Sequence, residues 1–315
     1  MAESDRVRRG SQFPIVEAYG YAFDSTSDEA KEAWSTEWCH FMERACEKKR
    51  QYKFGYCSIT YAASWDDGVP KTYSVCDHRL DGDPIKRAVS DHFGSRDVTL
   101  VPEVTATSKP RLNIDYVAFA DDKKADGGVD IIAIEAQAID LRGGGVGPAW
   151  KAWEHGDASN WRKYFTAEAK EKGRKKDTVD YGINTGNVYK RLGTQVAEKG
   201  QYFKEIKIPL YVVMQHSILR QLRSRIDFPV VAASEDWDIT FMSFDYTGAT
   251  KDTGELEFKY VETVRTTLDG YIEAMHTSGA ALHVPRKDFI AKAKKKAKPQ
   301  SAQLDLLQDE DSPLE

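Results

Sequence analysis

No apolar run in these 315 residues reaches the roughly 18 that a membrane span requires. The opening MAESDRVRRG lacks the apolar centre of a secretory signal. The expected setting is therefore the cytoplasm, where structural disulfides are rare, and no membrane partner is expected. Phosphate-binding loops, dinucleotide-type glycine fingerprints and internal repeats are also lacking. An excess of basic charge is missing too: 45 Lys and Arg face 50 Asp and Glu, a net charge of -5. No global basic field announces nucleic acid, so any contact with it has to come from local patches. Cysteine is scarce and confined, with only Cys39, Cys46, Cys57 and Cys76, and none beyond.

Four thiols crowded into one quarter of a chain from a reducing compartment favour a metal over disulfides. The spacing is not that of a zinc ribbon, and His40 and His78 lie beside two of the cysteines as alternative donors. Trp34, Trp38, Phe41, Met42 and Ala45 follow helical spacing, which would carry Cys39 and Cys46 on one helix face. Seven residues of straight helix separate them by about 10 Å. Thiolates on one tetrahedral ion, each about 2.3 Å from it, must lie within about 4 Å of each other. A shared metal thus demands a break between Cys39 and Cys46, whereas buried free cysteines on a continuous core helix demand none. Cys57 and Cys76 sit in alternating runs joined by a loop with Asp67-Gly68, which reads as a hairpin. DPIKRAVSDHFG then reads as a helix leading out of the module.

Residues 113–140, NIDYVAFADDKKADGGVDIIAIEAQAID, are the stretch around which the chain is organised. They read as strand, turn, strand, with Glu135 and Gln137 two apart and so on one face. Pairing the strands brings Asp115 beside them, and two converging carboxylates suit a hard cation such as Mg²⁺. The competing reading has Asp115 and Asp140 capping turns and Glu135 paired with a lysine on a solvated face. Glu103, twelve residues before Asp115, lies on a further strand, VTLVPEVTATSK.

Beyond Gln137 the glycines from 143 to 145 and Gly147 form a loop with Arg142 and Lys151, placed where a nuclease could grip DNA. The same glycines suit a tight turn with Trp150 and Trp153 in the core. Asn187, Lys190 and Arg191 belong to a basic stretch suited to phosphate. KIPLYVVMQHSI reads as a buried strand, SILRQLRSRI as a basic helix, WDITFMSFDYTG as a strand and YVETVRTTLDGYIEAM as a helix. From Lys287 the composition becomes that of a disordered charged tail.

In this order, CHFMERAC, GYCSIT, SVCDHRLDGDPIKRAVSDHFG, EVTATSK, NIDY, IAIEAQAIDLRGGG, NVYKRLGTQ and WDITFMSFD resemble the NotI family of type II restriction endonucleases. The resemblance spans roughly residues 35–250. It implies an α/β (α+β) fold: a PD-(D/E)xK core, with a mixed sheet flanked by helices and a small N-terminal four-cysteine metal module. The organisation expected is a helix with the metal module over 1–96, a catalytic and DNA-binding domain over 97–286 and the tail over 287–315. Cys39, Cys46, Cys57 and Cys76 would hold iron, as reported in that family, or zinc. Asp115 and Glu135 would hold Mg²⁺, with Gln137 in the usual lysine position. Glu103 would join them, although its spacing to Asp115 is shorter than in the family, and Gln195 and Lys190 match in type only. Arg142, Lys151, Asn187, Lys190 and Arg191 are the expected DNA contacts. The activity implied is hydrolysis of double-stranded DNA at a specific, palindromic and GC-rich site by a prokaryotic homodimer that has a cognate DNA methyltransferase. The rivals are a nuclease of the same fold without a fixed site or acting on modified DNA, and a noncatalytic metal-stabilised DNA-binding protein.

Overall fold

The computed structural model describes residues 12–109, 111–142, 145–174, 179, 181–278 and 285–297. The N-terminal part comprises β1 (Ile15–Ala18), β2 (Tyr21–Ala22), α1 (Asp28–Thr36), β3 (Trp38–Cys39), β4 (Arg44–Ala45), α2 (Glu47–Tyr52), β5 (Tyr56–Ala62), β6 (Pro70–Ser74) and α3 (Asp83–Phe93). A meander of β7 (Thr99–Ser108), β8 (Arg111–Asp121) and β9 (Val129–Gln137) follows. Next are β10 (Leu141–Arg142), α4 (Gly147–Glu154), α5 (Trp161–Glu171) and β11 (Gly182–Ile183). A helical stretch then runs through α6 (Thr185–Asn187), a π-helical turn (Val188–Gly193) and α7 (Thr194–Glu205). The last elements are β12 (Leu210–Gln215), α8 (His216–Arg223), β13 (Ile239–Thr250), β14 (Leu256–Thr266), α9 (Leu268–Ser278) and α10 (Arg286–Ala297).

The main sheet has six strands in the order β14-β13-β12-β9-β8-β7. β12 runs parallel to both β9 and β13, and the other pairs are antiparallel, so the sheet is mixed. LYVVMQ of β12 is buried at every position, as a parallel strand covered on both faces must be. Helix α3 supplies Ile85, Ala88 and Phe93 to one face, where Ile132, Ile134, Tyr211 and Val213 meet them. On the other face, Val196 and Phe203 of α7 and Leu219 and Leu222 of α8 pack with Ala133, Val212 and Met214. A second sheet, β2-β1-β5-β6, belongs to the cysteine-bearing part. It meets the main sheet at the carboxyl ends of β9 and β12. There Ile139 donates its N–H to the Ser74 carbonyl at 3.0 Å, and Gln215 Oε1 accepts from Ser74 N at 3.0 Å.

The helix expected through the first two cysteines breaks. Ser27 caps α1 by accepting from Ala30 N, and the left-handed Glu37 (φ 53°) ends it. Cys39 and Cys46 then fall on the β3–β4 hairpin and at the N-cap of α2. The apolar spacing of Trp38, Phe41, Met42 and Ala45 thus belongs to a hairpin and its turn. YVETVRTTLDGYIEAM, read as helical, is instead strand as far as Thr266, and only the remainder enters α9. Its β-branched Val261, Thr263, Val264 and Thr266 suit an edge strand paired with β13. By its internal contacts the chain divides after Met275. Within the second unit the charged stretch read as disordered from Lys287 is helical to Ala297, with Lys294, Lys295 and Lys296 suited to the negative helix end. The rest of that tail lies outside the described residues.

Trp150 is fully buried between Tyr19, Tyr56 and Trp153, so α4 serves the core. Trp150→Ala is expected to cost about 3–5 kcal/mol in urea unfolding, while the neighbouring exposed Lys151→Ala changes stability by less than about 0.5 kcal/mol.

Candidate active site

The pairing of β8 with β9 runs from Asp121↔Val129 to Tyr116↔Ile134. The pairing stops there, one residue short of Asp115 and Glu135, which would be the next pair in that register. The ladder opens at this point. Ala136 N–H, which would bond the β8 backbone, instead donates to Asp115 Oδ2 at 2.8 Å. Two residues on, Ala138 N–H donates to Asp77 Oδ1, also at 2.8 Å. On the other edge of β9, the β12 pairing continues to Met214↔Gln137. Ile114 packs into the core on one sheet face and Tyr116 against the other, so Asp115 lies where β8 changes faces.

Glu135 is paired with Lys199, which reaches in from α7; each side chain is only 15% exposed. The lysine partner considered for Glu135 therefore exists, but the face is largely shielded from solvent. Lys199 was not anticipated. It lies one helical turn beyond Gln195, so the two share a face of α7, but nothing in the sequence separates it from many other lysines. Burial lowers its pKa despite the opposing pull of Asp115. Burial likewise raises the Asp115 carboxyl, against the stabilising Ala136 N–H and Lys199 charge.

Asp115 and Glu103 line a cleft of about 760 Å³ between the sheet edge and the cysteine-bearing part. Pro102 pairs with Tyr116 and Val104 with Ile114, which sets Glu103 opposite Asp115. Glu103 adopts φ 53°, a left-handed conformation that is rare inside a strand. Asp77, His78 and Asp81, from the turn after Cys76, line the same cleft. Asp77 is exposed along it, yet its pKa is raised by the protein crowded around the carboxylate and by the charge of Asp115. His78 Nδ1 lies 2.8 Å from Asp81 Oδ2. Burial opposes protonation of this histidine, but Asp81 outweighs it and the net pKa is raised.

Gln137 points toward a smaller cleft that it shares with Asp140, Asn187 and Arg191. Its Nε2 donates to the Ala138 carbonyl at 2.6 Å. Asp140 accepts from Asn187 Nδ2 at 2.9 Å and from Arg191 Nη1 at 3.0 Å, gathering two of the expected DNA contacts beside β9. Lys190 is exposed on the same π-helical turn, a distortion often found at functional sites. Arg142 is exposed on β10, and Lys151 on α4 lies on the outward face of a core helix; neither bonds to Asp115, Glu135 or Gln137. Gly143 and Gly144 lie outside the described residues.

The four cysteines are free thiols. Cys39 accepts N–H from Phe41 and Met42, and Cys46 from Lys48 and Lys49, the latter at 3.4 Å. Cys76 accepts from His78. Each pair of donors lies two and three residues beyond its thiol, a turn that aims N–H dipoles at sulfur. The charge of Cys39 bears on Cys57 and Cys76, that of Cys46 on Cys39, and that of Cys76 on Cys57. Burial pushes Cys39 up to about 11 and Cys76 to about 12, and raises Cys46 and Cys57 as well. Lys48, which donates to the Tyr56 and Val75 carbonyls, opposes this at Cys46, Cys57 and Cys76. Among the described residues no three His, Cys, Asp or Glu side chains already stand in a metal-holding arrangement.

Because the folded Asp115 carboxyl titrates above its unfolded value, its ionisation destabilises the native state progressively as pH rises through the folded pKa. Asp115→Asn is therefore expected to raise the melting temperature at pH 7, with the gain disappearing near pH 4, about where unfolded aspartate titrates. Melting curves of both proteins across that range check this, and an equal gain at every pH would contradict it.

A scan against protein-family models matches none, and a search of curated proteins finds no match either. The functional reading therefore rests on the geometry of the site.

Proposed function

We propose that this chain is a Mg²⁺-dependent endonuclease that cuts both strands of DNA at a specific site, with a PD-(D/E)xK core as the resemblance to the NotI family implies. The observation that carries the reading is that, where the β8–β9 ladder opens, Asp115 bonds the Ala136 N–H next to Glu135, and Glu135 is paired with Lys199 from α7. The three-strand meander followed by a strand parallel to β9 supports the same core.

The donor set fits the ion. Mg²⁺ is commonly held by one or two carboxylates, with water and substrate phosphate completing its shell, so a preformed group of three side chains is not required. Asp115 and Glu135 are the ligands, and Glu103 lines a cleft with Asp115. When bound, the ion supplies Lewis-acid neutralisation of charge on the phosphate. Gln137 has no proton to give as an ammonium does, but its carbonyl oxygen can orient the attacking water. Lys199 provides the cation that Gln137 cannot, holding a proton at Nζ beside the carboxylates.

Asn187, Lys190 and Arg191 serve the DNA backbone and bases next to β9, with Arg142 further along the chain. Release of Arg191 from Asp140 frees a guanidinium suited to guanine. A palindromic site implies a homodimer, and a restriction role implies a cognate methyltransferase. The four free cysteines supply the donor set for iron or zinc, and three of them already receive backbone N–H groups. Loading requires these protonated thiols to lose their protons, so metal affinity rises with pH.

The test is to incubate unmethylated plasmid and phage DNA with the protein, in Mg²⁺ or in EDTA, beside Glu135→Ala. Discrete fragments that need Mg²⁺ and vanish with the variant are expected. A smear would favour a nuclease without a fixed site. Tight binding with no cleavage would favour the noncatalytic DNA-binding protein.

A further inference from the structure

We infer that Asp77, supplied by the cysteine-bearing part of the chain, is a positioning residue of the active site: its carboxylate fixes the end of β9 from which Gln137 and Glu135 project. The inference rests on the nuclease reading above and adds a residue that the resemblance did not supply. Along β9, the N–H groups of Ala136 and Ala138 point to the edge that β8 has left. Asp115 takes the first and Asp77 the second, each at 2.8 Å, so two side chains continue the ladder in place of a strand. Gln137 lies between these two anchored residues. Ile139 N–H then bonds the Ser74 carbonyl, and Ser74 N–H bonds Gln215 at the end of β12. Gln215 Nε2 in turn donates to the Thr72 carbonyl at 2.7 Å and to Asp245 at 2.8 Å. The end of the catalytic strand is thus held by residues 72–77, and Asp77 is the acidic member of that group lining the cleft with Asp115. Asp77 also directly follows Cys76, so one peptide unit joins the cysteine cluster to the site.

The position needs a hydrogen-bond acceptor, and the test separates that need from a need for charge. Wild type, Asp77→Ala, Asp77→Asn and Glu135→Ala are compared in single-turnover cleavage with Mg²⁺, together with DNA affinity and hydrogen exchange at the Ala138 amide. Misplacement of reacting groups by about 1 Å costs up to about 10²-fold. Asp77→Ala is expected to slow cleavage about tenfold to 10²-fold, leave DNA affinity unchanged and expose the Ala138 amide to exchange. Asp77→Asn, which keeps an acceptor, is expected to stay within about threefold of wild type with that amide protected. If the alanine variant does not fold, Asp77→Glu, which keeps the charge but moves the acceptor, takes its place and is expected to be slow. Alanine or glutamate variants at the wild-type rate would overturn the inference, as would an asparagine variant as slow as alanine. Wild type that cuts while Asp77→Ala cuts equally well refutes this inference alone. Wild type that does not cut refutes the nuclease reading, and this inference with it.

Discussion

The hydrogen-bonding edge of β9 beyond Ile134 is the constraint on which the rest of the site depends. β12 pairs with this strand as far as Gln137, while β8 stops short and leaves a row of N–H groups inside the protein. An unpaired backbone group in such a place costs free energy comparable to a lost hydrogen bond. Carboxylates accept there: Asp115 from a half-buried position, and Asp77 from the exposed lip of the cleft. Asp115 and Asp77 thereby come to the strand that carries Glu135 and Gln137. Three carboxylates gather there, and Lys199 pairs with Glu135 and acts on Asp115. Burial raises the pKa of Asp115 and, together with the charge of Asp115, that of Asp77.

The cysteine-bearing part is tied firmly to the main sheet. Glu17 on β1 is fully buried and bonded to Arg79, whose Nε lies 3.0 Å from Oε1, and to Tyr246 of β13 at 2.8 Å. The same guanidinium stacks over Phe41, Tyr246 and Phe258 and donates to the Leu256 carbonyl at 3.0 Å. Removing one member of such a buried charged group leaves the other uncompensated, which is strongly destabilising. The turn that begins at Asp77 contains Arg79, so this cluster also fixes the carboxylate beside β9.

Much of the sheet was legible from local pattern. β12 announced itself as a continuous apolar run, and β8 and β9 as alternating strands around a Gly-rich turn. The spacing argument on Cys39 and Cys46 required a break, and the chain makes a hairpin there. Helical periodicity misled at YVETVRTTLDGYIEAM because pairing with β13 overrode it. Two tryptophans near the glycines fitted a DNA-gripping loop and a core helix equally well, and Trp150 is fully buried. At the site, Asp115 beside Glu135 and Gln137 was expected from hairpin pairing of the two strands, and the Asp115–Ala136 bond puts it next to that strand. Lys199 and Asp77 were not expected, because their roles depend on packing between elements far apart in the chain. A lysine on one helix among many basic residues carries no local sign that it ends on a carboxylate.

On the proposed reading, one hydrolytic centre is assembled from two strands and a distant helix, with its protein cation coming from α7. The most direct measurement is single-turnover cleavage of a linear DNA at saturating Mg²⁺ by wild type and by Lys199→Met, with DNA affinity measured in parallel. The account predicts a rate lower by about 10²–10⁴ with binding retained. An unchanged rate in the folded variant would contradict it.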